Sequence, residues 1–202
     1  GLLGELVQRG ELRRYTKGTR LIDEGDRGDT LYAIASGRLR VFSVDSSNGR
    51  EITFGSYGPG EYLGEMGLDG GPRSASVMAV ETSVCVAIVR PTLEAFIAEH
   101  PRFAFELLAK VIRRARSATL TARQLALNDV YGRLKLLLES LAGPQADGLR
   151  PIRERLTHQE IANRIGCTRE MVSRVMKDLE QGGYLAGTLE ARRILRPLPA
   201  RW

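Results

Sequence analysis

Leu156–Gly183 reads LTHQEIANRIGCTREMVSRVMKDLEQGG, which encodes two short amphipathic helices with a glycine turn between them. Thr157-His158-Gln159-Glu160 has the form of a capping box, with an acid three residues after the threonine. Ile161, Ala162 and Ile165 give the first helix one apolar face. Gly166-Cys167-Thr168 predicts a tight turn, and Val172, Val175, Met176 and Leu179 give the second helix an inward face. Two such helices joined by a glycine-containing turn form a helix-turn-helix. Arg169, Glu170, Ser173, Arg174 and Lys177 remain on the outer face of the second helix. Arginine pairs with guanine O6 and N7, and glutamate accepts from cytosine N4, so these side chains suit base edges. Thr157, Thr168 and Lys177 suit phosphates, contacts that set register without carrying sequence. Gln159 completes this candidate set. The alternative is an ordinary solvated helix, and the capping box, the turn and the basic surroundings weigh against it. Beyond Gly182-Gly183, Tyr184–Pro197 predicts a small hairpin turning near Glu190-Ala191, so the motif is winged.

Upstream, the period stays helical. A short helix is expected over Pro91–Glu99 and a long one from about Pro101 to Leu127. Leu108, Ala115 and Ala122 fall seven apart, as do Val111, Ala118 and Leu125, in the a and d positions of a heptad. That pattern predicts a seam between two copies of the chain; packing of the helix on its own domain is the alternative. Asn128 and Asp129 are capping residues, so a further helix is expected over Val130–Leu141, with the break acting as a hinge.

Before about Arg90 the pattern is of short strands. Apolar runs at Leu31-Tyr32-Ala33-Ile34 and Leu39-Arg40-Val41-Phe42 are separated by turn chemistry at Ser36-Gly37, Asn48-Gly49 and Gly58-Pro59-Gly60. Regular short strands point to a barrel or double-layered roll. Within this region Gly60–Val77 reads GEYLGEMGLDGGPRSASV. Gly64 lets the backbone approach a ligand, and amides at the start of a short helix opened by Gly64-Glu65-Met66 would face an anion. Glu65 suits a ribose hydroxyl, Arg73 offers a planar fork for phosphate oxygens, and Ser74 adds a hydroxyl and an N–H. The plain alternative is a surface loop in which Glu65 pairs with Arg73.

Composition narrows the classes. The 202 residues are 43% hydrophobic and 27% charged, which fits a globular chain, and no apolar run reaches the length of a membrane span. No basic-then-apolar leader is present at the start, so a cytoplasmic location is expected. The net charge of +6 favours a polyanionic partner. From Gly143 to Trp202 eleven Lys/Arg face seven Asp/Glu, and Lys110, Arg113, Arg114, Arg116 and Arg123 form a block without an acid. Cys85 and Cys167 lie far apart without CxxC partners, and His100 and His158 have no clustered ligands, so no metal is expected. His158 reads as structural or solvent-facing. No catalytic constellation assembles, so an enzyme is not expected.

In their order along the chain, Glu24-Gly25-Asp26, Gly64-Glu65-Met66, Pro72-Arg73-Ser74-Ala75, Ala126-Leu127-Asn128-Asp129-Val130-Tyr131-Gly132-Arg133 and Gly166-Cys167-Thr168-Arg169-Glu170 resemble the cyclic AMP receptor/fumarate-nitrate regulator superfamily of bacterial transcription factors. The resemblance covers nearly the whole chain. It implies an α+β fold: a cyclic-nucleotide-binding β-roll over residues 1–100, a long dimerisation helix over 101–128 and a winged helix-turn-helix over 129–202. It further implies a homodimer on palindromic double-stranded DNA, with RNA polymerase as a further partner and a cyclic nucleotide, cyclic AMP by resemblance, as effector. Gly64, Glu65, Met66, Arg73, Ser74, Arg114 and Thr119 are the effector-site residues so implied. Arg169, Glu170 and Arg174 match the base-reading triad of the cyclic AMP receptor branch, which implies a TGTGA-like half-site. Ser173 looks like the serine of the fumarate-nitrate branch, whose cluster cysteines this chain lacks. Where the cyclic AMP receptor places a threonine and a serine against adenine, this chain has Ala118 and Thr119. Cyclic di-GMP control, effector-independent DNA binding, and a nucleotide-binding regulatory subunit that does not bind DNA are the alternatives.

Overall fold

The computed structural model describes residues 1–145, 148–188 and 191–201. The chain divides into two compact units, Gly1–Ser43 with Thr53–Ala118, and Val44–Ile52 with Thr119–Trp202.

The first unit opens with helix α1 (Leu2–Val7) and continues through strands β1 (Glu11–Tyr15), β2 (Arg20–Ile22), β3 (Leu31–Ser36), β4 (Leu39–Val44), β5 (Glu51–Tyr57), β6 (Tyr62–Leu63), β7 (Ser76–Ala79) and β8 (Ser83–Ile88). They form two four-stranded sheets, ordered β1-β8-β3-β6 and β2-β7-β4-β5. Helix α2 (Arg90–Glu99) follows, and helix α3 (Arg102–Leu127) begins in this unit and continues past Ala118 into the second.

The period-2 geometry of strands explains why Leu31–Ile34 is apolar at every position. Tyr32 and Ile34 face the layer between the sheets, together with Cys85 and Ala87 of β8, Ile22, Leu39, Leu63, Val77 and Ala79. Leu31 and Ala33 turn the other way, with Val86 and Ile88, onto Leu6 of α1, Leu93 and Phe96 of α2 and Phe103 of α3. A sheet covered on both faces has no use for the polar half of an alternating pattern. The double-layered roll expected from the strand spacing is therefore present, with a helical layer added on one side. Cys85 is fully buried in it, and burial raises its thiol pKa to about 11. The hairpin expected at Asn48-Gly49 joins β4 to β5, and Gly49 holds a positive φ there.

The second unit contains α4 (Val130–Leu141), β9 (Arg150–Pro151), α5 (His158–Ile165), α6 (Arg169–Gln181), β10 (Leu185–Ala186) and β11 (Arg193–Ile194). Helix α4 starts where the capping residues predict, with the Asp129 carboxylate accepting from the Gly132 N–H at 2.7 Å. At the start of α5 both halves of the capping box form: the Glu160 N–H donates to Thr157 Oγ1, and the Thr157 N–H donates to Glu160 Oε2 at 2.7 Å. Gly166 ends α5 at φ 66°, the left-handed conformation that favours glycine at this position. Tyr131, Leu134 and Leu138 of α4 pack on Ile161, Ala162 and Ile165 of α5 and on Val172, Met176 and Leu179 of α6. Val175, expected inward, is half-buried against this core. The wing is a three-stranded sheet ordered β10-β11-β9 rather than a lone hairpin, because Arg150–Pro151 comes back to pair with β11. The turn expected near Glu190-Ala191 falls at Glu190 outside the described residues.

No helix among the described residues is long and apolar enough to cross a membrane.

Candidate effector site and nucleic-acid interface

In the first unit the short helix expected in the glycine-rich segment is a single 3-10 turn, Glu65–Gly67, with Gly64 at its N-cap. Gly64 enters this turn at φ 94°, and a Cβ on it would lie 2.5 Å from the Thr30 carbonyl oxygen. Glycine is therefore required by the protein's own backbone, whatever a ligand adds.

Glu65 and Arg73 are both buried, and they do not pair with each other. Arg73 donates from Nη1 to the Gly64 carbonyl at 2.8 Å and from Nη2 to the Thr30 carbonyl at 3.0 Å. Burial pulls its pKa down, against the raising influence of Tyr32, Asp29 and Glu65; a guanidinium nonetheless stays charged. Glu65 pairs with Arg114 of α3, which also donates from Nη2 to the Tyr62 carbonyl at 2.7 Å. Only 1% of the Glu65 side chain is exposed, and its Oε2 is buried without a hydrogen-bond partner, as is Arg114 Nε. Ser74 is exposed, and its hydroxyl donates to the Met66 sulfur at 3.5 Å. The structure thus gathers Gly64, Glu65, Met66, Arg73, Ser74 and Arg114 in one place. Thr119 belongs to the second unit and is exposed.

Tyr57, Tyr62 and Lys110 were not among the site residues expected from the sequence. The Arg114 guanidinium lies 4.9 Å from the Tyr57 ring centroid, and Lys110 Nζ lies 4.0 Å from that of Tyr62. Burial, with help from Arg114, lowers the Lys110 pKa. The spacing of Lys110 and Arg114, one helical turn apart, was the available signal, since it puts two cations on one face of α3.

In the second unit Arg169, Glu170, Arg174 and Lys177 are exposed along α6. Thr168 caps this helix, accepting from the Met171 N–H at 3.3 Å. Thr157 caps α5, and its hydroxyl also donates to Glu160 at 2.8 Å. Both threonines are exposed but already have structural work. Gln159 donates to Asn163 at 2.8 Å. Ser173 is half-buried, and its Oγ lies 2.8 Å from His158 Nδ1. His158 is thus half-buried and tied to the second helix, in keeping with the structural role expected for it.

Residues 12–100 match the cyclic nucleotide-binding domain, and residues 155–185 match the bacterial regulatory proteins of the crp family. The chain is 38% identical over 184 residues to the cyclic AMP receptor protein of Thermus thermophilus, covering 89% of this chain and 83% of that one. This chain belongs to the cyclic AMP receptor family of transcriptional regulators. It is also 31% identical to a CRP-like cAMP-activated global transcriptional regulator of Mycobacterium tuberculosis, over 90% of this chain and 81% of that one. Among solved structures, the c-di-GMP-responsive global regulator CLP of Xanthomonas campestris is similar with a TM-score of 0.84 at 26% identity, covering 96% of this chain and 98% of that one. The family relatives are transcriptional regulators, not enzymes, which agrees with the lack of a catalytic constellation in the sequence.

Proposed function

We propose that this protein is a homodimeric, sequence-specific DNA-binding regulator whose roll binds a cyclic nucleotide. The observation that carries the effector half is the buried, unpartnered Oε2 of Glu65 beside Arg114 and near Arg73. A buried carboxylate oxygen needs a donor. A phosphate oxygen cannot supply one, whereas a ribose hydroxyl can. Glu65 then takes the hydroxyl, Gly64, Met66, Arg73 and Ser74 surround the phosphate, and Arg114 holds Glu65 in place. Cyclic AMP is the effector named for the relatives from Thermus thermophilus and Mycobacterium tuberculosis. Calorimetric titration tests this reading: heat is expected with cyclic AMP or cyclic GMP, and none with Glu65→Ala. Silence with both nucleotides at about 1 mM, where even a weak site would register, refutes cyclic-mononucleotide control.

Ala118 favours a second reading of the effector. It offers no side-chain hydrogen bond to a purine, and the similarity to the regulator CLP brings in cyclic di-GMP. Tight operator binding by protein without added nucleotide, relieved by cyclic di-GMP, would select that reading.

On DNA, Arg169, Glu170 and Arg174 read a TGTGA-like half-site. A two-fold dimer sets its two reading helices about 34 Å apart on a palindrome. The dimer seam is the stripe Leu108, Val111, Ala115, Ala118, Ala122 and Leu125, every member of which is exposed. RNA polymerase is the downstream partner and the cytoplasm the place of action. Replacing Arg169 with alanine relaxes selection at one guanine by about 1–3 kcal/mol in competition binding. Equal losses on every sequence would remove its base-reading role.

A further inference from the structure

Ser173 sits on the outer side of α6 among the residues assigned to base edges, yet its hydroxyl is not independent. Its Oγ lies 2.8 Å from His158 Nδ1, across the two helices of the helix-turn-helix. A hydroxyl has one proton and two lone pairs, while a neutral imidazole has one N–H and one bare nitrogen. The state of the ring therefore decides which end of the hydroxyl is left for a base. We propose that His158 is a positioning residue for sequence selection: as the neutral ring with its proton on Nε2 it takes the Ser173 proton, so Ser173 meets the major groove as an acceptor.

An acceptor there matches the amino groups of adenine (N6) and cytosine (N4), and opposes the O6 of guanine and the O4 of thymine. Protonation of His158 reverses the bond. Nδ1 then donates to Ser173, the serine proton turns outward, and guanine O6, thymine O4 or a purine N7 becomes the matched partner, while the preference for an amino group is lost.

The charged groups around the ring favour the neutral form. Burial lowers the His158 pKa first; Arg192 beside β11 and Arg169 of α6 lower it further, and Glu180 of α6 opposes them. Phosphates brought close by DNA would act in the same sense as Glu180, so the ring in the complex is easier to protonate than in the free protein. This inference rests on the DNA-binding reading above, and the test separates the two.

The full chain is incubated with a duplex library randomised over both half-sites, with and without cyclic AMP. Enrichment is read at about pH 7.5 and about pH 5.5, on either side of the ordinary histidine pKa. At the higher pH one position of each half-site is expected to favour adenine or cytosine by about fivefold, the size of one net hydrogen bond. At the lower pH that preference falls or inverts. Ser173→Ala removes it at both pH values, and His158→Leu flattens it and makes it pH-independent. His158→Gln retains a side chain able to hydrogen-bond the serine but has no titration, so its preference does not move with pH. Selection at the position read by Arg169 persists in all three variants, which reports that they are folded.

A preference lost in Ser173→Ala but untouched in His158→Leu would overturn the proposal. So would a guanine or thymine preference at the higher pH. Absence of any enrichment by the unmodified protein would remove the DNA-binding reading itself, and the proposal with it.

Discussion

Replacing Arg114 with methionine would leave the Glu65 carboxylate buried and without its cation. Three interactions go at once: the ion pair, the 2.7 Å bond to the Tyr62 carbonyl and the stacking on Tyr57. Breaking a buried pair from one side typically costs 3–5 kcal/mol, since the surviving charge remains desolvated. The Arg114 side chain keeps 20% exposure, so water screens part of the pair and the lower end applies, about 3 kcal/mol. Glu65→Gln leaves no bare charge buried, because the remaining arginine can reach solvent, and should cost about 1–2 kcal/mol. Combining the two removes both charges, and the double variant should be more stable than the sum of the singles by about 2 kcal/mol. Calorimetric melting, which can resolve the transition of the roll from that of the second unit, measures these differences. Strict additivity, or a loss below about 1 kcal/mol for Arg114→Met, would mean that the pair is no more than a surface contact.

Gly64→Ala should destabilise the roll by about 1–3 kcal/mol, because the residue sits at φ 94° and its new Cβ would meet the Thr30 carbonyl at 2.5 Å; a melt matching the unmodified protein would contradict this. Val111→Asp and Leu108→Asp place charge on the exposed stripe of α3, and sedimentation is expected to move from dimer to monomer. A dimer that survives both changes would place the seam elsewhere. The third expectation concerns pH. The folded-state pKa of His158 lies below its unfolded value, so near that range the unfolded chain binds more protons. Stability of the helix-turn-helix from this source is therefore present above about pH 6.5 and is lost as pH falls below it. Melting of the unmodified protein and of His158→Gln across that range gives the contribution by difference: the unmodified protein is expected to lose stability relative to the variant on acidification, and a relative gain would reverse the sign.

The reading helices were legible because their signals are local. A threonine, a glutamate three residues on and a glycine at the turn fix both ends of α5, and the result depends on no distant contact. The same holds for Asp129 at the start of α4. The roll was legible as strands and turns, but the double coverage of β3 emerges only when α1, α2 and α3 pack against one face. The candidate effector site was half legible. Its residues stand close in sequence, and local spacing suggested Glu65 with Arg73; the partner actually used is Arg114, 49 residues away. Burial decides that choice. Arg73 points to backbone carbonyls, where the folding of β3 and the 3-10 turn has left two acceptors facing inward. The pairing of β9 with β11 was missed for a similar reason, since two residues carry no period of their own.

Arg73 is fastened along its whole length. Its N–H donates to the Asp26 carbonyl at 2.8 Å, its own carbonyl accepts from the Gly25 N–H at 2.9 Å, and its guanidinium spans Gly64 and Thr30. A free arginine side chain surrenders about 1.5–2 kcal/mol of rotamer entropy when it is immobilised. Here that loss is met during folding, before any anion arrives. An anion that reaches Arg73 therefore meets a rigid guanidinium already held by two carbonyls, and its affinity is set by exchange with them instead of by the taming of a flexible chain.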